Sequence, residues 1–146
     1  LNSELDLIKS KRKRKKHANK KQKYMEGEFS EELKKMTRTE GRILIKLLNR
    51  QTGETLYEII KEYRSGFKAF WYNSSAQLFK LNLKNEYQPE DLALDYLVED
   101  ILQRSFINGT LDRQAPYEPI DYFALQSKWK DISVIDVITD YIEKYK

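Results

Sequence analysis

Apolar residues in this chain recur at helical intervals, beginning with Met25, Phe29, Leu33 and Met36, which are spaced four, four and three apart. That stripe predicts the apolar half of one long N-terminal helix whose upstream half is polar. Thr37, Arg38, Thr39 and Glu40 then spell a capping box, in which a hydroxyl and a carboxylate satisfy backbone donors at a helix start. The helix it opens carries Ile43, Leu44, Leu47 and Leu48 and ends where Gly53 can supply a left-handed cap. A hairpin around Gln51, Thr52 and Gly53 is the alternative, although leucines at this spacing suit a strand poorly. Thr55 with Glu58 repeats the capping signal before the longest stripe, Leu56, Ile59, Ile60, Tyr63, Phe67, Phe70, Trp71, Ser74 and Leu78. Its phase runs unshifted through Ser65 and Gly66, which predicts a bend or a close helix contact there rather than a loop. Pro89 is expected at the first position of a further helix, with Glu90 and Asp91 suited to its N-terminal dipole and Leu94, Leu97, Val98, Ile101 and Leu102 on one face. That helix should stop near Asn108 and Gly109. Residues 110 to 130 hold two prolines and four bulky aromatics without steady period, and are expected as an extended arm over the body. A last helix, Ser133 to Lys146, aligns Val134, Ile138, Tyr141, Ile142 and Tyr145. The expected class is all-α: a long N-terminal helix with a basic arm, a small helical bundle and an extended aromatic segment.

Charge changes this picture at one end. Ten of the 27 basic side chains lie between Lys9 and Lys23, so residues 1 to 23 carry a net charge of +8 while the remainder carries 17 basic against 21 acidic groups. Residues 1–23 are therefore read as a basic helical arm and residues 24–146 as a single helical domain, a size that suits one core. The arm fits a nucleic acid, an anionic membrane surface or an acidic protein groove, and its bland reading is a solvated helix. It has no apolar face to enter a bilayer and no interleaved aromatics to stack on bases. Partner-binding candidates are Lys11, Arg12, Lys13, Arg14, Lys15 and Lys16 on the arm, with Tyr72, Tyr117, Tyr122, Phe123 and Trp129 on the body. Phe67, Phe70 and Trp71, beside Tyr72, are assigned to the core because they sit on its stripe. Arg38, Arg42 and Arg50 are expected to pair with carboxylates of the body rather than with phosphate.

Catalysis lacks its usual parts. The chain has no cysteine and one histidine, His17, set among lysines and arginines where a metal would be repelled. No Gly-rich phosphate loop occurs. The adjacent acids Glu31 with Glu32, Glu90 with Asp91, and Glu99 with Asp100 point about 100 degrees apart on a helix and are read as solvated faces. No catalytic residue, metal or cofactor is expected. No apolar run approaches the roughly 18 residues that a membrane span needs. Leu1 opens directly into a charged stretch, which is read as a trimmed start, a processed product or only the ordered part of a longer chain.

The blocks TRTEGRILIKL (Thr37 to Leu47), RQTG (Arg50 to Gly53) and RSGFKAFWY (Arg64 to Tyr72), with NLKNEYQPED and YLVEDILQRSF further on, resemble the Bacteroidetes domain-of-unknown-function family 4294. The KSKRKRKK arm is similar too, and the tail beyond Asp131 is less so. The resemblance brings no activity and no binding residues. It does imply an exported, periplasmic protein, which argues against nucleic acid as the target. It also implies a place among other proteins of an envelope complex, with type IX secretion or gliding machinery as the setting. A nucleic-acid-binding module using the arm is the competing expectation, and peripheral contact with an anionic membrane surface a further one.

Overall fold

The computed structural model describes residues 10–13, 35–62 and 81–146. The protein is all-α, and the described residues contain no strand. Residues 10–13 are helical. The stripe from Met25 to Leu33, the bend at Ser65 and Gly66, and Tyr63 to Leu78 lie outside the described residues.

Helix α1, Arg38–Thr52, starts where the capping box predicts. The Glu40 amide donates to Thr37 Oγ1 (3.1 Å) and the Thr37 amide to Glu40 Oε1 (3.3 Å), closing both halves of the box. Gly53 follows with φ +75° and donates to the Asn49 carbonyl (2.9 Å), so the chain leaves the helix through a left-handed residue and the hairpin alternative is excluded. Residues 56–62 are helical again, directly after Thr55.

Pro89 does not open the next helix. Gln88 to Asp91 form a turn in which the Gln88 carbonyl accepts from Asp91 (3.1 Å) and Leu92 (2.9 Å), and α2 begins four residues after the proline as Ala93–Ile107. Asp95, in the first turn of α2, reaches back to accept from the Gln88 amide (2.9 Å), which fixes the proline turn outside the helix. The apolar side expected to be buried is only partly so: Leu94, Leu97, Val98 and Leu102 are half-buried and Ile101 is exposed, whereas Asp95, Tyr96 and Glu99 are buried. Asn108 caps the end and Gly109 follows at φ +79°.

The segment 110–130 is only partly extended. It contains a seven-residue helix, α3 (Tyr122–Lys128), whose start is capped by Asp121 Oδ1 accepting from the Ala124 amide (3.1 Å). Helix α4, Val134–Lys144, is capped in the same way by Ser133 on the Asp136 amide (3.2 Å). Both α3 and α4 pack on α2.

The contacts group the chain into two compact units, Leu1–Ile43 with Tyr57–Asn82, and Leu44–Leu56 with Leu83–Lys146. The boundary expected at residue 23 falls within the first unit and outside the described residues. The second unit is the better described, and its core includes Ile45, Tyr96 and Leu125. Tyr96 stacks on Trp129 with centroids 6.1 Å apart, and Trp129 Nε1 donates to the Pro89 carbonyl (3.0 Å), tying α3 to the proline turn.

Candidate functional site

Two rows of charge join α1 to α2 inside the second unit. Lys46 and Arg50 stand one helical turn apart on α1, and Asp95 and Glu99 one turn apart on α2, so i, i+4 spacing on both helices lines up two rungs. Each rung links residues 49 apart in the chain, so this part of α1 and α2 runs in the same direction. Lys46 Nζ lies 2.7 and 2.8 Å from the two Asp95 oxygens. Arg50 grips Glu99 in a fork, Nε to Oε2 at 2.8 Å and Nη2 to Oε1 at 3.0 Å.

Glu99 is fully buried, which corrects the reading of the Glu99 and Asp100 pair as a solvated face. An isolated carboxylate could not stay there ionised. It does so because two further donors reach it, Tyr87 Oη on Oε2 (2.7 Å) and Gln103 Nε2 on Oε1 (2.9 Å). Burial pushes the Glu99 carboxyl up, but the hydrogen bonds from Arg50, Gln103 and Tyr87 together with the Arg50 charge outweigh it and hold the group below the usual carboxylate range. The Tyr87 hydroxyl is pushed up, by burial first and then by its bond to Glu99, and stays neutral. On the other side Arg50 donates to the Gln114 carbonyl (3.1 Å) and lies 5.9 Å from the Phe106 ring centre, over which Arg113 also sits at 5.7 Å. Both carboxylates are thus committed to internal cations, one on each rung.

The aromatic candidates divide. Trp129 is half-buried against Tyr96, and Tyr122 is half-buried with its hydroxyl donating to Asp100; burial first, and then this bond, pushes that hydroxyl up to about 12. Tyr117 is exposed on one side while its ring covers Gly53 and its amide donates to the Arg50 carbonyl (2.8 Å). Phe123 is 80 % exposed, and with Ile107, 72 % exposed, it lines a cleft of about 410 Å³ together with Arg113, Pro116 and Ile120. Of the basic candidates, Lys11, Arg12 and Lys13 are exposed on their helical turn; Arg14, Lys15 and Lys16, like Tyr72, lie outside the described residues.

Sequence reasoning missed Asp95, Glu99, Tyr87 and Ile107. A signal existed for the first two: acids one turn apart on one helix, facing bases one turn apart on another. Among the described residues no group of three or more His, Asp or Glu is placed to hold a metal, and no helix is long and apolar enough to cross a membrane.

The family model described as Domain of unknown function (DUF4294) matches residues 1–104, and the chain belongs to that family. The match includes all four residues of the rungs and stops short of α3 and α4. No curated protein and no solved structure matches the chain.

Proposed function

We propose that this family member is a non-enzymatic interaction subunit that holds other proteins of an envelope assembly. The observation that carries the reading is the cleft flanked by Ile107 and Phe123, two large apolar side chains left mostly in solvent on a unit whose helices are locked by buried charge. A bulky aromatic on a rigid support is the kind of group that anchors protein interfaces, because little freedom is lost when a partner covers it. The exposed Lys11, Arg12 and Lys13 add a second surface, suited to an acidic protein or an anionic membrane surface. The setting rests on the family resemblance: an exported protein in the periplasm, within machinery such as type IX secretion or gliding.

Affinity isolation of the tagged native protein from membranes, at low salt, tests this. Other proteins should copurify, and Phe123→Asp with Ile107→Asp should release them while circular dichroism stays unchanged. Recovery of the tagged protein with no other protein bound would refute it.

The exposed basic turn also favours a second reading, a nucleic-acid-binding module. It predicts binding that weakens steeply with salt as counterions are released, and that falls in a Lys11→Glu, Arg12→Glu, Lys13→Glu variant. No binding to duplex or single strand at low salt would dispose of it.

A further inference from the structure

Helix α4 is apolar on two sides. Val137 and Tyr141, one turn apart, are its two half-buried positions and mark the side that packs on α2. Beside them runs a second row, Ile135, Ile138 and Ile142, which are 77, 46 and 55 % exposed, with Val134 next to it at 48 %. The spacing of this row is three and four, the interval at which one helix meets another along a seam. A helix that served only its own core would carry polar groups there.

The flanks say what the seam fits. Positions beside such a seam select partners by charge, and here they are Val134, Thr139 and Tyr141. Asp136, Asp140 and Glu143 all face away from the seam. A foreign helix marked by charge finds little to match, whereas two copies of α4 can meet without bringing like charges together. Covering these side chains on two copies removes on the order of 1,000 Å² of surface, the scale at which specific pairing begins.

We propose that Ile135, Ile138 and Ile142 form a self-association seam through which α4 pairs with α4 of a second copy of the chain. The contact is isologous, so it closes as a dimer rather than growing into a filament. It is independent of the cleft at Phe123, and each can fail without the other.

Two experiments on the full chain decide it. In sedimentation velocity the dimer fraction should rise with protein concentration over roughly 1 to 100 μM, as mass action requires. Ile138→Glu with Ile142→Glu should abolish the dimer while helicity is retained, and Asp140→Ala on the far side should leave it intact. The chain has no cysteine, so introduced ones report cleanly. Ile138→Cys and Ile142→Cys, oxidised singly and as a mixture, should give disulfide-linked dimers for parallel or antiparallel pairing, and Asp140→Cys should not. A monomer across the whole range without cross-linking overturns the proposal. So does a dimer that survives both glutamates, or a seam shown to be covered by a different protein or by lipid.

Discussion

At the scale of single residues, the two left-handed glycines of this chain are not equivalent. A Cβ added at Gly53 would collide with the Tyr117 ring, whereas one added at Gly109 would meet nothing within 4 Å. Gly109→Ala should therefore cost about 1 kcal/mol, the backbone strain alone, and Gly53→Ala more. The excess at Gly53 should shrink in a Tyr117→Ala background, a coupling that urea denaturation of the four proteins measures. Residue-level chemistry was unevenly legible in the sequence. Gly53, Gly109, Thr37 and Glu40 announced their roles because caps depend on neighbours within a few positions. Glu99 did not, because whether a carboxylate faces water or an arginine 49 positions earlier is settled by tertiary packing.

At the scale of elements, the join between α1 and α2 depends on two rungs of unequal weight. Arg50 and Glu99 are both buried, while Lys46 keeps 18 % of its side chain in solvent and Asp95 also accepts from the Gln88 amide. Arg50→Ala would strand a buried carboxylate and should destabilise by about 3–5 kcal/mol; Lys46→Ala should cost clearly less. Because the folded Glu99 carboxyl titrates below its ordinary value of 4.5, the unfolded chain binds more protons in acid. The resulting stability is fully present above that value and is lost as pH falls through the lower folded one. Urea midpoints measured from pH 7 down to pH 3 should show this fall, and Glu99→Gln should flatten the part of it due to this group. The elements themselves were mostly readable. α1 and α4 stand close to their apolar periods, but Pro89 was misplaced by four residues because Asp95 holds the proline turn apart from α2. Helix α3 escaped notice since seven residues carry too little periodicity to be seen, although Asp121 is a recognisable cap.

At the scale of the whole molecule, charge is divided between a +8 segment and a remainder that is acidic by four. Any association through Lys11, Arg12 and Lys13 should weaken as salt rises, whereas pairing through the apolar row of α4 should persist, so ionic strength separates the two in one sedimentation series. The all-α class was legible because nearly every apolar stripe has a helical period and glycine and proline are scarce. The grouping of contacts was not, since it interrupts the second unit: Leu44–Leu56 and Leu83–Lys146 belong together although Tyr57–Asn82 lie between them in sequence. During synthesis Arg50 emerges long before the acid it will neutralise and must wait for the ribosome to deliver Glu99. A nick placed between residues 57 and 82 would leave two polypeptides still clasped by both rungs, dissociable by acid and not by reductant.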